Sequence, residues 1–170
     1  MIKIGDTLPA TTLMEYVEVE GNGCSIGPNP VKVAEASAGK TIAVFAVPGA
    51  FTPTCSAQHL PGFLEKAAEF KAAGVDDIWC LAVNDAFVMG AWGREQNTAG
   101  KIRMLADGDA AFAQATGLTL DLNGKGLGLR SNRYSMLVKD GKVVQLNNEA
   151  PGKFEVSNAA TLLAQVTSAA

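Results

Sequence analysis

This chain is poor in the residues that build metal sites and disulfide frameworks. It has one histidine, His59, and three cysteines, Cys24, Cys55 and Cys80. Three thiols cannot make a four-cysteine zinc site, and no CxxC pair is present to start one. An odd set also argues against a framework of structural disulfides. Long apolar runs are missing as well. The longest, Ile42 to Val47, has the length of a strand and is too short to cross a bilayer. Met1 to Asp6 lacks the apolar stretch of a secretion signal, so a cytoplasmic protein is expected. Excess positive charge is absent too: 14 Lys and Arg stand against 17 Asp and Glu, a net charge of −3. Neither nucleic acid nor an anionic membrane is therefore an expected partner. What remains, 48% hydrophobic and 18% charged over 170 residues, suits one globular domain spanning residues 1–170. The question left open is which thiol is reactive.

The order of elements is legible from periodicity and punctuation. Thr11 to Glu20 leans towards a strand and ends in the turn Gly21-Asn22-Gly23. The irregular Gly27-Pro28-Asn29-Pro30 follows, which leaves Cys24 in a loop. Thr41 to Val47 reads as a strand covered on both faces. Pro48-Gly49 breaks it. Thr52-Pro53 reads as an N-cap followed by proline at the first helical position. Leu60, Phe63, Leu64 and Ala67 share one helical face, with a kink expected at Pro61 and an end at Gly74. Asp77 to Val83 is a second buried strand, followed by a helix capped by Asn84 or Asp85 and a short strand over Lys101 to Leu105. A helix capped by Asp109 ends at Gly117, and a hairpin turns at Asp140-Gly141. Ser157 opens a last helix. Early βα alternation followed by an antiparallel hairpin predicts an α/β protein with a central mixed sheet flanked by helices, the order of a thioredoxin-like fold.

Cys55 stands apart from the other thiols. With Thr52 as N-cap it is the third residue of a helix. There, unpaired N–H groups and the positive end of the helix dipole favour thiolate, the nucleophilic form. The plainer reading is a cysteine used as a small buried hydrophobe. Packing alone, however, gives no reason for the rigid approach Pro48-Gly49-Ala50-Phe51-Thr52-Pro53-Thr54. A disulfide oxidoreductase would place a second cysteine three residues on, where this chain has Gln58.

The stretch Pro48 to Ser56 carries the pattern P-x-x-x-T-x-x-C and resembles the peroxiredoxins. Further blocks, His59-Leu60-Pro61-Gly62-Phe63, Val83 to Met89 with Ala91-Trp92-Gly93, and Arg133-Tyr134-Ser135-Met136, resemble the type II branch of that family. The likeness runs from about Ile4 to the C-terminal helix. It implies a thiol-dependent peroxidase that needs no metal or organic cofactor. Cys55 matches the cysteine that attacks the peroxide, and Thr52 the threonine whose hydroxyl contacts the substrate. Pro48 matches the proline that shields the pocket, and Arg133 the arginine that polarises thiolate and peroxide. Arg130, three residues earlier, is the alternative; on one strand the two would face opposite sides. The expected product is a Cys55 sulfenic acid, recycled by glutathione with glutaredoxin or by thioredoxin, in a homodimer.

Other residues carry lesser expectations. Cys80, inside Ile78 to Val83, reads as a buried strand cysteine. The resemblance also offers it as a resolving thiol, because plant type II enzymes have a second cysteine at the matching place. Joining it to Cys55 would require the helix start to unwind. Cys24 reads as an exposed thiol or a neutral surface residue. His59 is expected to make a structural hydrogen bond. Phe51, Phe87, Met89 and Trp92 read as core, some of them open at a dimer interface. Arg94, Lys101 and Arg103 read as solvated surface. The competing function is a thioredoxin-fold sensing or binding module that signals through oxidised Cys55 without efficient turnover.

Overall fold

The computed structural model describes residues 1–18 and 26–168. Its frame is a seven-stranded sheet. β1 (Thr12–Val17) pairs antiparallel with β2 (Gly27–Lys32), and α1 (Val33–Ser37) leads into β3 (Thr41–Ala46). A helical segment, α2 (Leu60–Glu65) and α3 (Ala67–Ala72), returns the chain to β4 (Asp77–Ala82). α4 (Ala86–Gln96) then connects to β5 (Arg103–Ala106). α5 (Ala111–Thr116) and a separate two-stranded ribbon, β6 (Thr119–Leu122) and β7 (Gly128–Ser131), precede the hairpin of β8 (Tyr134–Lys139) and β9 (Lys142–Asn148). α6 (Ala159–Ser168) closes the chain. The sheet order is β2-β1-β5-β4-β3-β8-β9. β3, β4 and β5 run parallel, and both flanks are antiparallel, so the sheet is mixed as expected.

Strand alternation divides the core in two. On β3, and Val47 just after it, Ala43, Phe45 and Val47 face one layer while Ile42, Val44 and Ala46 face the other. On β4, Cys80 and Ala82 lie with the first set and Trp79 and Leu81 with the second. The first layer is completed by Leu60, Phe63 and Phe70 from α2 and α3, Met89 and Trp92 from α4, and Leu162 from α6. The site thus rests on a continuous apolar bed, with Phe45 and Phe63 stacked at 4.1 Å between ring centroids.

Several expectations are corrected. Gly27 to Pro30 is not irregular; it forms the edge strand β2, where two prolines are tolerated because an edge needs donors on one side only. At Pro61, where a kink is expected, the helix runs on without interruption. It is interrupted at Lys66 (φ −101°, ψ 5°), and Pro61 sits at the start of α2 directly after a wide π-helical turn. Asp109 does not cap α5. Asp107 does so instead, its buried carboxylate accepting from the backbone N–H groups of Phe112 (3.0 Å) and Ala113 (2.9 Å). Asn158 caps α6 by accepting from Thr161 N (2.8 Å), and Ser157 is used elsewhere. Asp85 does cap α4, accepting from Val88 N at 2.8 Å. Arg94 is exposed, as expected, and pairs with Glu18; Arg103 is instead half-buried and holds Glu15 through two bonds of 3.0 and 2.8 Å.

Candidate active site

The end of β3 delivers the chain to the site. Val47 N donates to Leu81 O (3.0 Å), and Ala50 N donates to the Asn84 side-chain oxygen (2.9 Å), which ties the loop to the C-terminal end of β4. Phe51 takes a left-handed conformation (φ 64°) that turns the chain into the helix. Thr52 stands just before helical Pro53, as expected. Its hydroxyl does not cap the helix, however; it donates to Gly49 O at 2.7 Å. A hydroxyl that donates to a carbonyl keeps lone pairs to accept from a substrate O–H.

Cys55 is the third residue of this helix and opens a π-helical turn, Cys55–His59, closed by Leu60 N donating to Cys55 O. Such turns widen the helix and occur mostly at functional sites. The Cys55 side chain is fully buried. Arg133 Nη2 donates to its Sγ at 3.1 Å, while Nη1 of the same guanidinium donates to His59 Nδ1 at 3.0 Å. The guanidinium also lies 5.7 Å from the centre of the Phe154 ring. A cleft of about 170 Å³, lined by Pro48, Thr54, Leu120, Asn132, Arg133 and Phe154 among others, opens beside it.

His59 is buried, and its Nε2 donates to Ser157 O at 3.0 Å. Burial first, and then the charge of Arg133, lowers its pKa from 6.5 to about 3, against the opposing pull of the Ser157 carbonyl and Glu149. The ring is therefore neutral, with its proton on Nε2 and a free lone pair on Nδ1 for Arg133. This is the structural hydrogen bond expected of it, with a second bond to the arginine beside the thiol.

Arg130 and Arg133 do not share a strand: Arg130 lies in β7, and Arg133 precedes β8. They reach neighbouring parts of the site, Arg133 the Cys55 turn and Arg130 the loop before it. Arg130 donates to Leu127 O (2.8 Å) and, through Nη1, to Pro48 O (3.3 Å), bracing the cleft from outside. Cys80 is buried in the middle of β4, between Phe45 and Met104 on the neighbouring strands. Burial, with a smaller contribution from nearby Cys55, pushes its thiol well up from its ordinary range. Cys24 falls outside the described residues. Among the described residues no cluster of three His, Cys, Asp or Glu side chains could hold a metal ion.

Three residues of the site were not anticipated. Phe154 faces Arg133 and His59, the latter at 4.9 Å between ring centroids. Ser157 supplies the carbonyl for His59. Glu149 is buried, and its carboxylate gathers the loop between β9 and α6: it accepts from the N–H groups of Glu155, Val156 and Ser157 and from the Ser157 hydroxyl. Burial opposes the charged form, but these bonds together outweigh it, and the carboxyl is held below the usual glutamate range.

Residues 3–163 match the Redoxin family. Peroxiredoxin-2B of Arabidopsis thaliana is 44% identical over 95% of this chain and 96% of its own. Reduced Prx3 of Vibrio vulnificus, solved in complex with hydrogen peroxide, is 52% identical over 98% of this chain and 99% of that one, with a TM-score of 0.90. Peroxiredoxin 5 of Alvinella pompejana is 33% identical over 99% of both chains, with a TM-score of 0.83. With a mixed sheet, a cysteine at a helix start and an arginine on its sulfur, the chain belongs to the redoxin family, in its peroxiredoxin branch.

Proposed function

We propose that Cys55 of this thiol-dependent peroxidase reduces hydrogen peroxide and organic hydroperoxides, with Arg133, Thr52 and Pro48 as its partners. The observation that carries the reading is the 3.1 Å bond from Arg133 Nη2 to Cys55 Sγ at the first turn of a helix. The thiolate attacks one peroxide oxygen; an S–O bond forms as the O–O bond breaks. Sulfur is oxidised to sulfenic acid, and the second oxygen leaves as hydroxide or alkoxide and takes a proton. Arg133 stands where negative charge passes from sulfur to oxygen, and the first-turn N–H groups add to it. Thr52 Oγ1 accepts from the attacked peroxide, and Pro48 closes the cleft mouth. The hydrogen peroxide complex of the Vibrio vulnificus relative supports this substrate class.

The sulfenic acid is returned to thiol by an external thiol, glutathione with glutaredoxin in preference to thioredoxin, in a one-cysteine cycle. The burial of Cys80 supports an external partner. The protein acts as a cytoplasmic homodimer: Phe51 and Phe87 are 49% and 63% exposed, and pairing would cover them.

The test is one equivalent of hydrogen peroxide mixed with reduced protein, followed by stopped-flow tryptophan fluorescence and intact mass. Trp92 Nε1 donates to Ser56 Oγ (3.0 Å), so an indole reports directly on the reactive turn. Wild type should gain one oxygen rapidly and Cys55→Ser none. Arg133→Met should slow the reaction about a hundredfold to a thousandfold. Wild-type oxidation at the pace of a free thiol would instead favour a sensing module without turnover.

A further inference from the structure

An arginine that must meet a reacting sulfur to within tenths of an ångström has to be held, because its free side chain carries much rotamer entropy. Arg133 is held at both ends, and both holds lead to one residue. Its backbone carbonyl accepts from Glu149 N at 3.0 Å. Its guanidinium rests on His59 Nδ1, which can accept only while the ring proton sits on Nε2. The Ser157 carbonyl, an acceptor only, selects that tautomer. Ser157 in turn is fixed by Glu149 Oε2, which takes its N–H at 2.8 Å and its hydroxyl at 2.7 Å. Val156 N donates to the same oxygen at 2.8 Å. Residues 149–158 contain neither helix nor strand, so this carboxylate supplies the acceptors that regular structure would otherwise provide.

We propose that Glu149 is a positioning residue for the chemistry at Cys55: its buried carboxylate fixes the Ser157 carbonyl, the carbonyl fixes the His59 tautomer, and His59 aims Arg133 at the sulfur. The inference rests on the reading of Cys55 and Arg133 given above. A carboxylate that merely held a loop would leave both the tautomer and the aim of Arg133 unaffected when replaced.

Two readouts separate these roles. The first is a double-mutant cycle on the rate of Cys55 oxidation by hydrogen peroxide. Glu149→Gln keeps the size but replaces one accepting oxygen with a donor, and should slow oxidation about tenfold, the weight of one hydrogen bond to a charged group. With Arg133→Met already present, the same change should cost less than about twofold, because the route through Arg133 is gone. The second is ¹⁵N NMR of the imidazole, which is unambiguous because the chain has one histidine. Wild type should show one protonated and one bare ring nitrogen, and Glu149→Gln a shift towards a tautomer mixture. A wild-type rate with unchanged imidazole signals in folded Glu149→Gln would overturn the proposal. So would losses that multiply in the double variant. If circular dichroism shows that Glu149→Gln does not fold, Ser157→Ala takes its place, with a loss of up to about tenfold expected from deleting one of the bonds to the charged carboxylate. A Ser157→Ala protein indistinguishable from wild type in rate and tautomer would then overturn it. A slow wild type would instead defeat the underlying peroxidase reading.

Discussion

His59 serves Arg133 only while it is uncharged, and that has a cost in acid. Its pKa is 6.5 when exposed and about 3 in the fold, so above 6.5 neither state is protonated and its contribution to stability is complete. As pH falls below 6.5, the unfolded chain takes a proton that the folded chain refuses. Stability then drops by up to about 1.4 kcal/mol per pH unit until the folded pKa is reached. Urea unfolding at pH 7 and pH 5 checks this. Wild type should lose about 2 kcal/mol more between the two than His59→Gln, whose side chain does not titrate. Equal losses would mean that the ring is not held neutral. Glu149 adds to the same trend at lower pH: its depressed pKa gives stability that is present above the ordinary glutamate range and lost as pH falls through its folded value.

At the scale of elements, the approach to Cys55 is built from close contacts. A Cβ on Gly49 would meet Arg130 Nη1 at 3.0 Å and Thr52 Cγ2 at 3.2 Å. Gly49→Ala should therefore push Arg130 off Pro48 O, lower the melting temperature by a few degrees, the effect of about 1 kcal/mol, and slow peroxide oxidation. Part of that loss should vanish in an Arg130→Ala background, where the tighter of the two contacts is gone and only Thr52 Cγ2 remains close; an undiminished loss would place the strain elsewhere. β3, β4, the α4 cap at Asp85 and the hairpin at Asp140-Gly141 were legible because each is marked by local composition. The π-helical turn was not, because periodicity cannot tell whether a helix near Pro61 is kinked or widened. β2 was obscured by Pro28 and Pro30, whose local signal is a turn and whose strand pairing depends on β1. Cys55 and Arg133 were found through motif blocks. Glu149 carries no such mark: Asn148-Glu149-Ala150 is an ordinary loop sequence, and its partners become visible only when residues 155–157 fold back on it.

For the molecule as a whole, the position of Cys80 sets the cost of an internal disulfide. Cys80 lies in a central strand with both neighbours paired and its side chain in the same core layer as Cys55. Drawing it out would disrupt ladder bonds worth about 1 kcal/mol each and apolar contacts worth about 1.5–3 kcal/mol per buried side chain. A protein carrying both Cys24→Ser and Cys80→Ser should therefore keep most of its glutathione- and glutaredoxin-supported turnover. One oxidation followed by a stall in that variant, with a Cys55–Cys80 disulfide mapped in wild type, would show that the fold does open.

The flanks of the sheet bear on how these molecules meet each other. Pro28 and Pro30 alternate along the outermost strand, so both missing N–H groups come from one side of it, and only the open side can spare them. On the opposite flank the start of β9 is already occupied: Gly5 N donates to Val143 O, Val143 N to Asp6 O, and Leu8 N to Gly141 O. A strand from a neighbouring molecule thus finds too few donors at one border and, at the other, a border whose first residues are already paired. Edge-to-edge polymerisation, the usual hazard of an open sheet, is discouraged by the backbone itself, with Lys32 on β2 and Lys142 on β9 adding charge at the two borders.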